Sequence, residues 1–182
     1  MAMDSDPQTD GRDGEREGVP APGAVSPDML ATLVRGKNIN EKTFLATDYL
    51  NHFNEIIMLL EMVPGAPEFF ADCKEWAPKS YAAHFRDSAF ADKELAILAY
   101  EHAPQPFRRR FDTAIARMNA YVAEAMAEIE RAVGDGDEAR VGAIVATVTG
   151  TLRTCVDAVS AIIHGDKRTV DQAEVDEIIA GA

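Results

Sequence analysis

Basic residues are scarce in this chain. Its 182 residues include 18 Lys and Arg against 31 Asp and Glu, which gives a formal net charge of −13. Nucleic acids and anionic membranes are bound mainly through clustered Lys and Arg, so this balance argues against both as partners. We therefore expect the chain to bind a protein, a cation or a small molecule.

Cysteine and long apolar runs are also rare. Cys73 and Cys155 are the only two cysteines and have no CxxC spacing, so we expect free, buried thiols. Apolar runs such as residues 56–60 are far shorter than the about 20 residues of a membrane span. The acidic residues 1–20 lack the apolar core of a signal peptide. We therefore expect a cytoplasmic protein that does not span a membrane.

The sequence motifs of several common enzyme classes are missing. The chain contains no GxGxxG or GxxxxGK[ST] phosphate-binding loop, no HExxH zinc motif and no GxSxG nucleophile motif. Ser88 and Ser160 have no recognisable partner that would activate them. We therefore do not expect nucleotide-dependent chemistry of the familiar kinds.

Two long apolar seams lie between residues 107 and 164. On each, apolar residues recur at alternating steps of four and three, the spacing of helices that pack lengthwise. Residues 134–137 interrupt the pattern with two glycines, and Asp137 is a suitable N-cap for a second helix. So short a connection predicts an antiparallel helical hairpin. The seam residues are Phe111, Ile115, Met118, Val122, Ala125, Ile129 and Ala132 on the first helix, and Val141, Val145, Val148, Leu152, Cys155, Val159 and Ile162 on the second.

Each seam needs more apolar partner surface than one neighbouring helix offers. We therefore predict an all-α helical bundle, which either the N-terminal half of the chain or a second copy completes. Residues 1–25 are acidic and have almost nothing to bury, which predicts a disordered tail. Residues 26–164 then form the bundle domain, and residues 165–182 form a linker and a C-terminal amphipathic helix.

Capping residues predict shorter helices in the N-terminal half. Ser26 followed by Pro27 predicts a helix that stops at Gly36. Asn40 is a suitable cap for a helix over residues 41–63. The segment from residue 67 to residue 102 contains several short helices and most of the aromatic side chains. These aromatics form either part of the core or the walls of a ligand pocket.

Asp48, His52 and Glu55 are spaced four and three apart in the helix predicted over residues 41–63, so they share one face. Two carboxylates and an imidazole could hold Fe, Mn or Zn if other helices bring further ligands. The candidates for these further ligands are His84, His102, Glu61 and Glu101. The alternative is a histidine at the edge of the core that is hydrogen-bonded to its carboxylate neighbours.

Arg108, Arg109 and Arg110 form a dense basic cluster in this acidic chain. Cations near the start of a helix are disfavoured by the helix dipole, which suggests a role in binding a phosphate or an acidic partner. The alternative is that the arginines pair with nearby carboxylates of the same chain.

A last amphipathic helix is predicted near the C-terminus. Thr169 and Gln172 form a capping box, and Val175, Ile178 and Ile179 lie on one side of the helix that follows. A short amphipathic helix on a linker suits insertion into a groove of a partner protein. Alternatively, its apolar stripe docks on the surface of the chain's own bundle.

The sequence of residues 172–179, Gln-Ala-Glu-Val-Asp-Glu-Ile-Ile, resembles the CheY-docking peptides of flagellar switch proteins and the C-terminal tail of the CheZ chemotaxis phosphatases. The resemblance implies that a receiver-domain response regulator is the partner. The residues implied to bind it are Gln172, Glu174, Val175, Asp176, Ile178 and Ile179.

The CheZ family is also implied to have a long helical hairpin that dimerises into a four-helix bundle, so the resemblance implies a homodimer here as well. The catalytic helix of that family carries Asp-x-x-Gly-Gln. This chain has Thr147 and Thr151 at the positions of the Asp and the final Gln. Phosphatase activity of that type is therefore not supported.

We accordingly expect a non-enzymatic regulatory or adaptor protein of bacterial signalling, which binds a response-regulator-like protein through its C-terminal helix. One alternative is a metal-binding helical-bundle protein or enzyme that uses Asp48, His52 and Glu55. Another is a structural subunit of a larger assembly, which exposed aromatics between residues 69 and 100 would favour.

Overall fold

A computed structural model describes residues 25–166 and 177–181 of the chain. The acidic tail predicted over residues 1–25 lies outside the described residues except for Val25. Four of the predicted partner-binding residues, Gln172, Glu174, Val175 and Asp176, lie outside them too.

The described residues form an all-helical fold. Two 3-10 turns, Thr47–Leu50 and Pro67–Phe69, precede the second and third α-helices, and residues 177–180 form a last helical turn. The α-helices are α1 (Pro27–Val34), α2 (Asn51–Met62), α3 (Phe70–Glu75), α4 (Tyr81–Asp87), α5 (Lys93–Glu101), α6 (Gln105–Gly134) and α7 (Glu138–His164). None of the helices in these parts of the chain has both the length and the hydropathy needed to cross a membrane.

The predicted hairpin is confirmed as α6 and α7, which pack against each other along their length. Every seam residue named above is buried. The N-terminal half completes the core within one chain, because α2 packs on α7 and its apolar side chains join the same hydrophobic cluster. Both cysteines are free and buried, as predicted.

Three helix starts follow directly from side-chain caps. The hydroxyl of Ser26 accepts a hydrogen bond from Met29 N, and that of Ser80 accepts one from Ala83 N, both at 3.2 Å. The carboxylate of Asp137 accepts one from Arg140 N at 3.0 Å. Each cap satisfies a backbone N–H that the first turn of a helix leaves unpaired.

The helix predicted over residues 41–63 is wrong in its first half. Asn40 does accept hydrogen bonds from the backbone N–H groups of Lys42 and Thr43, but these close a turn instead of starting a helix. Phe44 then adopts φ +59°, a left-handed conformation that an α-helix cannot continue through. The α-helix begins only at Asn51.

Tertiary contacts explain this turn. The Lys42 ammonium donates to Gly165 O at 2.7 Å, and the Thr43 hydroxyl donates to Ile163 O at 2.5 Å. Both acceptors are carbonyl groups at the C-terminal end of α7, which has no further helical turn to pair with them. The loop over residues 40–46 therefore caps the end of the hairpin instead of extending α2.

Candidate functional site

The most closely packed polar group of the predicted metal site is His52, at the start of α2. Its side chain is 3% exposed. The imidazole stacks on Trp76, with ring centroids 4.6 Å apart and planes 20° from parallel. The Trp76 indole N–H also donates to His52 O at 3.0 Å. These two contacts fasten the end of α3 to the start of α2.

The surroundings of His52 favour its neutral form. Burial, with smaller contributions from the charges of His84 and Lys79, lowers the pKa of His52 to about 4, although the backbone of Ala77 acts in the opposite direction. Nδ1 of His52 lies 3.9 Å from a carboxylate oxygen of Glu55, which is too long for a hydrogen bond. Nε2 is buried without a hydrogen-bond partner among the described residues. Ring stacking therefore positions this histidine more than its carboxylate neighbours do.

The structure does not bring the predicted metal ligands together. Asp48 belongs to the 3-10 turn before α2, so it does not share an α-helical face with His52 and Glu55. Across residues 25–166 and 177–181, no three His, Cys, Asp or Glu side chains are arranged to hold a metal ion.

The four further candidate ligands each interact with a different part of the protein. The ring of His84 lies 6.1 Å from that of His52, whereas His102 is exposed and contacts Leu98 O at 2.9 Å. Glu61 forms an ion pair with Arg153 at 2.6 Å, and Glu101 is exposed at the end of α5.

The aromatic region is chiefly core. Tyr49 is 1% exposed and packs against Tyr81 and Phe111, each with ring centroids 5.4 Å apart. The Tyr49 hydroxyl donates to Lys79 O at 2.7 Å, and the Tyr81 hydroxyl accepts from Ala46 N at 2.8 Å. Burial raises the pKa of Tyr49 to about 12, so this phenol is neutral at physiological pH.

Two surface cavities border this aromatic core. One, of about 280 Å³, lies beside Tyr100 and Asp112 and also includes Asn119, whose Oδ1 is buried without a hydrogen-bond partner among the described residues. The other, of about 430 Å³, is lined by Asp48, Asn51, His84, Ser88, Ala89, Phe90 and Ala91. In each cavity a polar side chain lies near an aromatic ring: Asp112 near Tyr100 in the first, and Asp48 near Phe90 in the second. Some aromatic side chains of the core are therefore also part of the protein surface.

The three predicted anion-binding arginines separate into two kinds. Because α6 begins at Gln105, they lie in its second turn and not its first. The Arg108 guanidinium lies 4.5 Å from the centre of the Tyr100 ring and 3.7 Å from a carboxylate oxygen of Asp112. Arg109 and Arg110 are exposed and form no ion pair with a described residue. Only Arg108 therefore follows the alternative of pairing within the chain.

The helical turn over residues 177–180 contains the two described residues of the predicted docking helix. Ile178 and Ile179 are partly buried and pack against the hydrophobic core. Glu177 and Ala180 are exposed beside them. In this structure the apolar side of the turn thus rests on the chain's own bundle.

A groove of about 470 Å³ runs between α6 and α7. Tyr121, Ile144 and Val148 provide its apolar surface, and Glu124 and Glu128 are among the charged residues along it. Thr147, at the position of the aspartate of the CheZ motif, also lines this groove, whereas Thr151 is buried at 8% exposure.

Sequence reasoning did not find the contact between His52 and Trp76 or the cap on α7 by Lys42 and Thr43. The only signal for the first was that Trp76 is the sole tryptophan of the chain. The second had no sequence signal, because the paired groups are more than a hundred residues apart.

No known protein family, curated protein or solved structure matches this chain.

Proposed function

We propose that this chain is a non-enzymatic regulatory or adaptor protein of bacterial signalling, which acts in the cytoplasm. Its C-terminal helix inserts its apolar side into a groove of a response-regulator-like protein. The observation that carries the proposal is the sequence of residues 172–179, which combines apolar and acidic positions in the order found in CheY-docking peptides.

The partial burial of Ile178 and Ile179 supports this role. A fully buried pair would be part of the core, and its removal would cost several kcal/mol. A fully exposed pair would leave an apolar stripe in water. These two side chains are partly buried, so a partner groove could compete for them without unfolding the bundle.

The proposal implies that the helix exchanges between two positions. When it rests on its own bundle, Ile178 and Ile179 are partly covered; when it binds the partner, the same side chains fill the groove. The affinity for the partner is then reduced by the fraction of molecules in which the helix is docked on the bundle. Glu174, Asp176 and Glu177 would face a basic rim on the partner and increase the association rate.

Deleting residues 170–182 tests the proposal. We expect the deletion to abolish binding to a purified receiver domain and to leave the melting temperature nearly unchanged, because the core helices α1 to α7 remain intact. Titration calorimetry against phosphorylated and unphosphorylated receiver domains measures the first effect, and circular dichroism measures the second.

A matched pair of point variants provides the control. The double variant Ile178→Asp and Ile179→Asp should lose binding, because a charged group in an apolar groove is unpaired and desolvated. The variant Ala180→Ser alters an exposed neighbour and should bind like the natural chain. A large drop in melting temperature after the deletion, with no receiver domain bound by the full chain, would assign the helix a purely structural role.

The homodimer implied by the resemblance is part of the same proposal. The groove between α6 and α7 is the surface on which a second hairpin would pack to form a four-helix bundle. Sedimentation equilibrium of the full chain, with Ile144→Glu as the groove variant, measures this association directly.

A further inference from the structure

The outer side of α2 exposes apolar side chains that the fold does not use. Met58 and Met62 lie one turn apart and are 66% and 41% exposed, and Phe69, in the 3-10 turn that follows, is 38% exposed. The opposite side of α2 is already committed to the core through His52, Phe53, Ile56, Ile57 and Leu60. Rotating the helix to bury the methionines would therefore expose these core residues.

The 3-10 turn and α3 both pack on α2, and the segment that contains these three elements is acidic. Between residues 51 and 76 the acidic residues are Glu55, Glu61, Glu68, Asp72 and Glu75, and the only Lys or Arg is Lys74. Lys74 is already paired with Glu130 at 3.0 Å, and Glu61 with Arg153 at 2.6 Å.

The remaining carboxylates are not neutralised by the fold. Glu68, Asp72 and Glu75 are exposed and form no ion pair with a residue of the described ranges. Glu55, whose side chain is 64% exposed, lies 3.9 Å from His52, which is neutral, and its other interacting charge is that of Lys79. The segment thus presents apolar side chains and an excess of carboxylates, and its one cation, Lys74, is already paired with Glu130.

This combination defines the chemistry of a partner. Methionine is flexible and polarisable, so it adapts to apolar side chains of different shapes. The free carboxylates favour Lys and Arg, and exclude anionic membranes and nucleic acids. A helix with apolar residues on one side and basic residues flanking them satisfies both requirements.

We propose that the acidic methionine surface, formed by Met58, Met62 and Phe69 with Glu68, Asp72 and Glu75, binds a basic amphipathic helix of a protein partner. This surface is separate from the C-terminal helix of residues 170–182. It adds a second binding site that also prefers basic side chains, because the C-terminal helix is acidic too. The two sites differ in that the C-terminal segment offers a helix to a groove, whereas this surface accepts a helix.

α1 provides a matched control surface. Met29 and Leu33 are also one turn apart and are 57% and 48% exposed, close to the values of Met58 and Met62. Residues 26–42, however, contain Arg35, Lys37 and Lys42 against Asp28 and Glu41. The two surfaces therefore match in apolar exposure, whereas the α1 segment has no excess of carboxylates.

A synthetic peptide of leucine and lysine at helical spacing tests the proposal, with a scrambled peptide of the same composition as the reference. We expect the full chain to bind the ordered peptide in a salt-dependent manner and the scrambled one much more weakly. The double variant Met58→Gln and Met62→Gln should lower the affinity at least about tenfold, whereas Met29→Gln with Leu33→Gln should change it less than about twofold. Fluorescence anisotropy with a labelled peptide measures these affinities.

A triple variant measures how much the carboxylates contribute to binding, separately from the methionines. Replacing Glu68 and Glu75 by Gln and Asp72 by Asn should weaken binding and flatten its salt dependence, because fewer ion pairs form in the complex. All substituted side chains are exposed, so circular dichroism should show unchanged melting for each variant.

Three results would overturn the proposal. The first is equal binding of the ordered and scrambled peptides, which would indicate general attraction to an acidic chain. The second is equal weakening by the α1 and α2 variants. The third is self-association of the natural chain that Met58→Gln with Met62→Gln abolishes, because this would assign the surface to a second copy.

Discussion

Ring contacts position His52, and they make the stability of the fold depend on the protonation of this residue. The folded chain buries the imidazole against Trp76 and offers Nε2 no hydrogen-bond partner within its described part. A proton on this ring would place a charge in a buried site, where the carboxylate of Glu55, 3.9 Å from Nδ1, is too distant to form a hydrogen bond with it. The residue therefore favours folding only while it is neutral.

Acidification should destabilise the fold through His52. The unfolded chain takes up a proton at this residue near pH 6.5, whereas the folded chain does so only near pH 4. The stability that neutral His52 contributes is thus complete above pH 6.5 and is lost as the pH falls towards 4. Between about pH 7 and about pH 5 we expect a loss of roughly 1 to 2 kcal/mol that His52→Phe does not show. Urea unfolding at both pH values measures the difference; an equal loss in the variant would contradict it.

Within a single element, α7, one glycine lies in the helix and another ends it, and the two differ in backbone conformation and in the space around them. Gly150 lies in the middle of the helix, and a Cβ placed there would meet no atom within 4 Å. Gly165 ends the helix at φ +69°, and a Cβ there would approach the side chains of Lys42 and Thr43 to 3.1 Å. The first glycine only weakens the helix, whereas the second is required by the cap that Lys42 and Thr43 form.

Alanine at these two positions should therefore have opposite effects. Gly150→Ala should raise the free energy of unfolding by roughly 0.5 to 1 kcal/mol, because alanine loses less backbone entropy on folding. Gly165→Ala should lower it by roughly 1 to 2 kcal/mol, because a left-handed conformation is unfavourable for a residue with a Cβ. Thermal unfolding followed by circular dichroism measures both. A stabilising effect at Gly165 would show that the end of α7 is not constrained as described.

At the scale of the whole molecule, the N-terminal half and the hairpin share one hydrophobic core. α2 packs on α7, and Trp76 is fastened to α2 through His52. Ile129, on α6, is fully buried in the same cluster. The chain should therefore unfold as one unit, without a stable N-terminal or C-terminal half.

Ile129→Ala tests this cooperativity. The cavity should lower the free energy of unfolding by roughly 2 to 4 kcal/mol. Trp76 fluorescence reports on the N-terminal half, and circular dichroism reports mainly on the long helices. Both signals should shift to the same lower urea midpoint in the variant. A Trp76 transition that stays at its original midpoint would show that the two halves unfold separately.

Spacing along the chain was enough to predict the hairpin, its seams and two of its helix caps. Phe111 to Ala132 and Val141 to Ile162 follow a helical period, and Ser26 and Asp137 accept hydrogen bonds from residues three positions away. Such features depend on spacing along the chain, so they are visible without coordinates.

Tertiary contacts were needed to show that the loop over residues 40–46 caps α7, that His52 stacks on Trp76, and that Asp48, His52 and Glu55 form no common ligand set. The tertiary structure also decided that Met58 and Met62 face outward while Ile56 and Leu60 face the core. These outcomes depend on groups far apart in the chain, whose contacts leave no periodic pattern in the sequence. Local preference, such as that of Asn40 to start a helix, yields where distant partners satisfy the backbone better.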